Sequence, residues 1–420
     1  MKIGYACLTI GVPDTNFKSC LLKNASENNL YELIYHNLNA LENIIDYNIQ
    51  NQLLLFRITS GLIPFAGTSA NTLAWPDIFA DRLAQIGEKI KSSGMRVSMH
   101  PGQYTVLNSP DPQVVKNAIS DLDYHAQVLD SLGLDRQHKI VLHIGGIYND
   151  KVAAQERFIS NYHHLPETVK RRLILENDDR LYHIGDVLDI AARINLPVVY
   201  DNLHNQTNPC EGKTDNCKWI NHCRNTWGKK DGPQKMHYSQ QDPQKKPGSH
   251  SGTIRIKEFM ELYEHLGRTD LDIMLEVKDK NLSAVKCNNC VSTAKTIKTL
   301  ETEWSRYKYK VLENSPSDYT EIRTLLKNKN QYPAVSFYSL IEQALQKEIH
   351  PGQAINAAQH IWGYFKNTAS EKEKSSFAKL LAEYNQGQTR LQTIKNFLWK
   401  MTLKYNQPYL RDSYYFILSL

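Results

Sequence analysis

The feature that most constrains the fold of this chain is a series of eight short apolar runs, separated by longer segments with helical periodicity. The helical segments include 28–48, 76–93, 112–132 and 185–194. The apolar runs are KIGYA (2–6), LLLFRIT (53–59), RVSMH (96–100), KIVLHIGG (139–146), RLILEND (172–178), PVVYDNLH (197–204), QKMHYSQ (234–240) and DIMLEVK (272–278). Continuously apolar strands that alternate with helices are typical of parallel sheets covered on both faces. The pattern predicts an α/β fold, a (β/α)₈ TIM barrel, with an open doubly wound sheet as the alternative.

Six consecutive strands of this series carry a titratable side chain near their C-terminal end. In chain order these residues are His100, His143, Glu176, Asp201 with His204, Lys235 and His237 followed by His250, and Glu276. A single histidine or glutamate at a strand end is more often a hydrogen-bonded structural group. Six successive strand ends are harder to explain in that way, because the functional groups of such barrels lie at the C-terminal ends of the strands.

Imidazoles mixed with carboxylates form the kind of ligand set that suits zinc, manganese or iron rather than calcium or magnesium alone. The set is also larger than one ion requires. The strand ends therefore predict a site for more than one divalent metal ion.

Composition sets broad limits on location and partners. The formal net charge is +6 and the pI is about 8.7, which permits a nucleic-acid partner without requiring one. No stretch approaches the apolar length of a membrane span, and the first residues lack the apolar core of a secretory signal. Seven cysteines, an odd number, suit a reducing compartment. We therefore expect a cytoplasmic protein without a membrane partner.

Six motifs of the strand ends together resemble the ultraviolet damage endonuclease family. They are HPGQY (100–104), LHIGG (142–146), LENDD (175–179), YDNLH (200–204), KMHYSQQDPQKKPGSH (235–250) and LEVKDK (275–280), and the likeness runs from Tyr5 to about Lys280. The resemblance implies a TIM barrel with a trinuclear, manganese-type centre. It also implies a monomeric enzyme that cuts double-stranded DNA directly 5′ to cyclobutane pyrimidine dimers and 6-4 photoproducts, leaving a 3′-hydroxyl and a 5′-phosphate.

The resemblance also assigns roles to individual residues. It implies that Lys235 is a carboxylated side chain near the metals and that Lys235, Glu176 and Glu276 are catalytic. Gln103 and Tyr104 match a pair that enters the duplex where the damaged dinucleotide flips out, and Tyr5 matches an aromatic of the lesion pocket. The implied metal ligands are His100, His143, Glu176, Asp201, His204, His237, His250 and Glu276.

The Gln103–Tyr104 pair also has a physical rationale that does not depend on the family. Moving a base out of the stack costs a few kcal/mol, and less at a damaged step. A tyrosine ring replaces lost stacking and a glutamine amide replaces lost hydrogen bonds. The alternative is a rigid surface turn on which the tyrosine merely packs.

One metal ligand of the family is missing from this chain. A family histidine follows the IPFA segment, whereas this chain reads LIPFAGTSANTLAW (62–75), with Thr68 or Ser69 at that position. A hydroxyl is a poorer ligand for the softer divalent metals. We expect manganese at the site, with magnesium or zinc as alternatives. The missing histidine leaves two outcomes open: one ion is held more weakly, or a water molecule takes the place of the ligand.

The chain changes character near residue 300, so we predict a barrel over 1–299 and an all-α accessory domain over 300–420. Residues 301–420 contain 16 Lys and Arg against 11 Asp and Glu. Helical patterns cover 318–328, 335–347, 351–366, 370–384 and 389–404, and the region resembles the YbgA-like helical domain of unknown function. Arg306, Lys308 and Lys310 lie among aromatic residues, which suggests added DNA affinity. A helical bundle with a solvated basic face is the alternative.

Two groups of cysteines have less specific spacing. Cys210, Cys217 and Cys223 lie near His222, and Cys287 precedes Cys290 by three residues. Such spacing occurs in zinc sites and redox pairs, but its irregularity favours ordinary loop cysteines.

Three other functions remain open from the sequence. An abasic-site endonuclease or a sugar isomerase on a similar metal barrel needs no Gln103–Tyr104 pair. A non-catalytic damage-binding protein would lack bound metal.

Overall fold

The computed structural model describes residues 1–210 and 216–418, which form two compact units. The first unit comprises Met1–Ile254 and Leu262–Asn288, and the second comprises Arg255–Glu261 and Asn289–Leu420. The predicted boundary at 299/300 falls inside a helix, Ile297–Asn314. The short segment Arg255–Glu261 is part of the second unit, although residues of the first unit separate it from Asn289–Leu420 in the sequence.

The first unit is built on a closed barrel of eight parallel strands in sequential order, which confirms the predicted TIM barrel and excludes the open sheet. The strands are β1 (Ile3–Ala6), β2 (Leu55–Ile58), β3 (Arg96–Met99), β4 (Lys139–His143), β5 (Leu173–Glu176), β6 (Val198–Asp201), β7 (Gln234–Tyr238) and β8 (Leu271–Leu275). Each lies within one of the eight predicted apolar runs or begins one residue before it. Almost every strand residue is buried, as expected for a sheet enclosed by helices.

The helices between the strands include the four segments predicted from periodicity, of which 76–93 is divided into two helices. They are α1 (Glu27–Gln50), α2 (Trp75–Ile78), α3 (Ala80–Ser92), α4 (Pro112–Ser131), α5 (Lys151–His163), α6 (Glu167–Lys170), α7 (Ile184–Ile194), α8 (Asn202–Thr207), α9 (Asn216–Arg224), α10 (Ile256–Leu266) and α11 (Asn281–Val291). Side-chain caps fix several of their starts: Ser26 accepts from the Asn29 amide, and Asp150 accepts from the Ala153 amide.

The alternation of side chains along β1 corrects the expected role of Tyr5. Ala6 packs with Leu55 of β2 and Met274 of β8. Tyr5 points to the opposite side of the strand, where its hydroxyl donates a 2.8 Å hydrogen bond to Asn48 of α1. The Tyr5 side chain is fully buried. Tyr5 therefore packs between the barrel wall and α1 and does not line an open pocket for a lesion.

The second unit is a helical bundle. Its helices are α12 (Ile297–Asn314), α13 (Pro316–Leu325), α14 (Ala334–Leu345), α15 (Pro351–Trp362), α16 (Glu371–Asn385), α17 (Leu391–Lys404) and α18 (Pro408–Arg411). Helices α13 to α17 correspond to the five predicted helical patterns, whereas α12 was not among them. The bundle core is aromatic, and the rings of Trp362 and Phe377 stack with centroids 4.4 Å apart.

Two of the three cations expected on the surface of this bundle, Lys310 and Lys308, have different environments. Lys310 is buried. Its ammonium donates a 2.6 Å hydrogen bond to Glu313, and Lys395 contacts the same carboxylate at 2.8 Å. The expectation of a surface position was therefore wrong for Lys310. Lys308 lies beside an exposed aromatic ring, with its Nζ 4.6 Å from the ring centroid of Tyr409.

None of the helices in the described part of the chain has the length and apolar character needed to cross a bilayer. None of the seven cysteines is in a disulfide. Cys210, Cys223 and Cys287 are buried, whereas Cys217 and Cys290 are half-buried. Within residues 1–210 and 216–418, no group of potential metal ligands includes a cysteine.

Candidate metal centre

The predicted ligands converge because the parallel strands bring their C-terminal ends to one end of the barrel. In the sheet register, His143 of β4 is the partner of Glu176 of β5. Asp201 of β6 is likewise the partner of His237 of β7. His100 and Glu276 directly follow the last residues of β3 and β8, so they lie at the same level.

Glu176 is the central carboxylate of this cluster. Its Oε2 lies 2.9 Å from Nε2 of His100 and 3.6 Å from Nε2 of His143. Its Oε1 lies 2.7 Å from Nδ1 of His237 and 3.7 Å from Nδ1 of His204. Four imidazoles from four different elements therefore surround one buried carboxylate.

Glu276 forms a second carboxylate position next to the same Nδ1 of His237. Its Oε1 lies 3.3 Å from Nδ1 of His237, and its Oε2 lies 3.8 Å from Nε2 of His250. The guanidinium of Arg57, on β2, donates a 2.5 Å hydrogen bond to the same Oε1. The proximity of His250 to Glu276 places the loop that carries His250 at the edge of the cluster.

Asp201 and His204 form the third part of the cluster at the start of α8. Asp201 caps this helix, and its Oδ1 accepts a 2.8 Å hydrogen bond from the His204 amide. Nδ1 of His204 is 2.8 Å from the carbonyl oxygen of Asn177. The Asn177 side chain accepts from the Asp201 amide and donates to the Asp201 carbonyl. Asn177 therefore fixes the positions of Asp201 and His204, the first through its side chain and the second through its backbone carbonyl.

Three groups of residues in this cluster have ligand atoms within 4.8 Å of one another, the spacing at which side chains hold a metal ion. All three groups share Glu176. They are His100 with His143, Asp201 with His204, and His237 with Glu276. The structure thus brings seven of the eight predicted ligands into candidate metal groups and places His250 beside Glu276.

Unpaired polar atoms support the fit of divalent ions to these groups. Oδ2 of Asp201, Nε2 of His237 and Nδ1 of His143 are buried and have no hydrogen-bond partner among the described residues. An unpaired buried carboxylate oxygen or imidazole nitrogen costs about 1 to 3 kcal/mol. A cation that accepts these lone pairs would remove that cost, so the donor set suits metal binding.

The protonation of the cluster follows from burial and from the mixture of charges. Burial alone would raise the pKa of Glu176, but the imidazoles of His237 and His143 hold it well below its ordinary value. Burial lowers the pKa of His143 to about 4, so this imidazole is a neutral ligand at physiological pH. Burial opposes the charge on His204, yet Asp201 and Glu176 raise its pKa to about 9.

Lys235 lies two residues before His237 on β7, and its side chain is fully buried. Its Nζ has no hydrogen-bond partner among the described residues. Burial and the nearby Arg96 guanidinium hold the pKa of Lys235 well below its ordinary value, which favours the uncharged amine.

The two residues that stand where the family histidine is expected, Thr68 and Ser69, are both exposed. Thr68 is exposed, and its hydroxyl donates a 2.7 Å hydrogen bond to the Phe65 carbonyl. Thr68 and Ser69 line a cleft of about 810 Å³ together with Tyr104. The loop after β2, residues 59–74, contains no His, Cys, Asp or Glu that could take the place of that histidine.

The predicted DNA-contacting turn is exposed next to the metal ligands. The ring of Tyr104 is 70% exposed, and Gln103 is also exposed. The ring folds back over Gly102, where an added Cβ would lie 2.4 Å from its Cε1. His100 precedes this turn, so the turn carries its two side chains beside the metal cluster.

Exposed apolar residues of the first unit concentrate at this end of the barrel. Residues on loops that follow strands are Leu8, Leu21 and Leu22 after β1, Ile78 on the short helix α2 after β2, Tyr104 after β3, Tyr148 and Val152 after β4, and Leu181 after β5. Among the described residues of the barrel unit, only Tyr31 and Tyr35, on α1, are exposed large apolar residues elsewhere.

Two residues of the site were not found from the sequence. Arg57 is a charged residue inside the apolar run of β2, and this interruption was the available signal. Asn177 follows Glu176 directly within the LENDD motif, but its role depends on hydrogen bonds to β6.

Comparison with known proteins agrees with this geometry. The family model for UV-endonuclease UvdE matches residues 1–308, and that for a protein of unknown function (DUF1722) matches residues 308–418. A UV DNA damage endonuclease of Clostridium perfringens (strain 13 / Type A) is 38% identical over 426 aligned residues, with 99% of each chain covered. One from Bacillus cereus (strain G9842) is 32% identical and covers 71% of this chain and 97% of its own.

A solved structure is also similar to this chain. The crystal structure of SacUVDE is 37% identical, with a TM-score of 0.66, and the match covers 69% of this chain and 98% of that one. The match therefore has the extent of the barrel unit rather than of the whole chain. The chain belongs to the UV-endonuclease UvdE family, and it is an endonuclease with a DUF1722 region at its C-terminal end.

Proposed function

We propose that this endonuclease uses divalent metal ions to hydrolyse the phosphodiester immediately 5′ to UV photoproducts in double-stranded DNA. The products are a 3′-hydroxyl and a 5′-phosphate, and the substrates are cyclobutane pyrimidine dimers and 6-4 photoproducts. The observation that carries this proposal is the sharing of Glu176 among three candidate ligand groups. A set of closely spaced groups suits a reaction in which one phosphate has several oxygens to be contacted.

The ligand roles follow from the distances in the cluster. His100 with His143, Asp201 with His204, and His237 with Glu276 would each hold one ion beside Glu176, and His250 would complete the last group. Manganese fits this mixture of imidazole and carboxylate, with magnesium or zinc as alternatives. When bound, such ions polarise the phosphate, supply hydroxide at neutral pH and stabilise the leaving oxygen.

Lys235 would contribute through its uncharged amine. A buried primary amine reacts with carbon dioxide to form a carbamate, with the release of one proton. The carbamate carries a negative charge and two oxygens, and it would extend the side chain toward the ligands that follow on β7. The absence of a partner for the Lys235 Nζ among the described residues favours this role over an ion pair.

Gln103 and Tyr104 would enter the duplex when the damaged dinucleotide flips out. Both side chains are exposed next to His100, so they are available to replace lost stacking and pairing. The buried Tyr5 has no part in this surface. We also propose that the enzyme acts as a monomer, since the three candidate metal groups are complete without a residue from a second chain.

The decisive experiment uses a duplex with one defined photoproduct and a label at the 5′ end. Purified protein with Mn²⁺ should give a single cut immediately 5′ to the lesion, and the undamaged duplex should remain intact. Lesion-dependent binding with stoichiometric metal but without cutting would instead identify a damage-binding protein. Cutting of an abasic site alone would identify an abasic-site endonuclease.

A further inference from the structure

The loop after β4 contains two consecutive non-glycine residues in the left-handed backbone region. Tyr148 has φ +48° and Asn149 has φ +65°. A tyrosine rarely adopts this conformation, because its Cβ approaches the backbone carbonyl closely. Such a conformation persists only where the surroundings impose it, and it occurs often at functional sites.

The surroundings of Tyr148 do impose it. Its ring lies against Gly146, where an added Cβ would be 3.0 Å from both Cε2 and Cζ of the ring. The guanidinium carbon of Arg157, on α5, lies 5.5 Å from the ring centroid. Nε of Arg157 donates a 2.9 Å hydrogen bond to the carbonyl of Asn108, and the buried Asn108 amide donates to the Gly146 carbonyl. The ring is therefore fixed on two sides by one connected network.

This network leaves the polar end of Tyr148 unused. The side chain is 39% exposed, and its hydroxyl makes no hydrogen bond to any residue in the described part of the chain. A tyrosine kept only for packing would bury its ring or pair its hydroxyl. The fixed ring with an open hydroxyl is an arrangement suited to contact with a ligand.

Tyr148 also lies on the surface where DNA would bind. It follows the metal ligand His143 by five residues. The glycine turn between them, at Gly145, packs against Asn108 and Val106 of the loop after β3. That loop also carries Tyr104. The loop that contains Tyr148 therefore packs against the loop that contains the proposed DNA-contacting pair, Gln103 and Tyr104.

We propose that the Tyr148 hydroxyl donates a hydrogen bond to a backbone phosphate of the bound DNA, and that Arg157 is a positioning residue for the ring. The inference rests on the proposed function, since it takes damaged DNA as the ligand. Arg157 occupies one side of the ring and Gly146 another, so the ring is poorly placed to stack on a base. A phenol near a cation is a good donor, and phosphate oxygens are the most numerous acceptors on a duplex.

The first test is the affinity of the full-length protein for a duplex with one cyclobutane dimer, measured in EDTA to prevent cutting. Tyr148→Phe removes only the hydroxyl and should weaken binding by about tenfold, the value of one hydrogen bond to a charged acceptor. Tyr35→Phe, at a 50% exposed tyrosine on α1, is the control and should bind like the wild type. Arg157→Gln should weaken binding to a similar extent, because it releases the ring.

The second test identifies the acceptor. Single phosphates around the lesion are replaced in turn by neutral methylphosphonates. At the contacted position the replacement should weaken the wild type by about tenfold more than it weakens Tyr148→Phe, whereas all other positions should affect both proteins equally. Identical profiles, or wild-type affinity in Tyr148→Phe, would overturn the assignment. A wild type that neither prefers nor cuts the damaged duplex would instead refute the proposed function.

Discussion

Arg57 and Glu276 form an ion pair across the mouth of the barrel, with NH1 of the arginine 2.5 Å from Oε1 of the glutamate. Both side chains are largely buried, and the same carboxylate belongs to a candidate metal group. Burial alone would raise the pKa of Glu276, but Arg57 and His237 hold it below its ordinary value. The pair thus keeps a candidate metal ligand ionised and oriented in the metal-free protein.

Replacement of Arg57 by methionine should therefore destabilise the metal-free protein. Removal of one partner from a buried pair costs about 3 kcal/mol. Mn²⁺ would neutralise Glu276 again, so the loss should shrink by more than half when the metal is present. Urea unfolding in EDTA and in Mn²⁺ measures both values. Arg180→Met, at an exposed pair with Asp179, is the control and should cost less than about 0.5 kcal/mol. An equal loss with and without metal would contradict this role.

Glu176→Gln should have the largest effect on metal content, because all three ligand groups share this carboxylate. A change to a residue that only supports a metal ligand lowers metal affinity by up to about 100-fold. Loss of the shared ligand itself should therefore lower metal affinity by more than about 100-fold. Cutting should fall with it, whereas the circular dichroism spectrum should not change. Elemental analysis of the purified variant measures the metal. Glu167→Gln, at an exposed surface glutamate, should retain both properties. Wild-type metal content in Glu176→Gln would exclude the shared centre.

The double variant Gln103→Ala with Tyr104→Ala should lose discrimination between damaged and undamaged duplex. Base–aromatic stacking is worth about 1 to 3 kcal/mol, so affinity for the damaged duplex should fall by about tenfold or more. Affinity for the undamaged duplex should change little, because its bases stay stacked. Fluorescence anisotropy with both duplexes measures this, and Tyr31→Ala on α1 is the control. Equal losses on both duplexes would show that the pair provides general contact only.

Metal affinity should rise with pH, since His204 has a pKa of about 9 in the protein. Below that pH its imidazole is protonated and must release a proton before it binds a metal ion. One displaced proton raises the apparent affinity about tenfold per pH unit between about pH 7 and pH 9. Mn²⁺ titrations across this range measure the slope. His204→Asn should bind more weakly and with a slope lower by one proton. The same slope in both proteins would rule out His204 as the source.

Lys308 of the second unit is a cation whose replacement can test the contribution of this unit to DNA affinity. Lys308 lies beside the exposed ring of Tyr409. If Lys308 neutralises a phosphate, Lys308→Gln should make the salt dependence of binding to undamaged duplex shallower by about 0.9 in the log–log slope. Lys91→Gln, at the end of α3 away from the metal ligands, should leave the slope unchanged. An unchanged slope in Lys308→Gln would remove this residue from the DNA surface.

The barrel, and the grouping of most candidate ligands at one end of it, could be predicted because both depend on local patterns. Continuous apolar runs mark buried parallel strands, and parallel strands bring their ends together without further information. The orientation of Tyr5 could not be predicted in the same way. In a four-residue strand that is buried on both faces, hydrophobicity does not reveal which residues point into the barrel.

Other features depend on partners far away in the sequence. The Arg57–Glu276 pair joins residues 219 positions apart, so no spacing rule identifies it. Lys310 belongs to a basic stretch that suggests a solvated surface, but Glu313 and Lys395 form a buried ionic cluster with it. The partner of a buried charge is decided by tertiary packing, which a sequence pattern does not contain.

The segment Arg255–Glu261 belongs to the second compact unit, although it lies inside the residues matched by the UvdE family model. Within this second unit, the amide of Ile256, the first residue of α10, donates to both carboxylate oxygens of Glu342, at 3.1 and 3.2 Å. A single cut in the chain near residue 300 would therefore leave the first turn of a barrel helix without its acceptor. Point substitutions, rather than truncation, are the means to assign separate duties to the two halves of this enzyme.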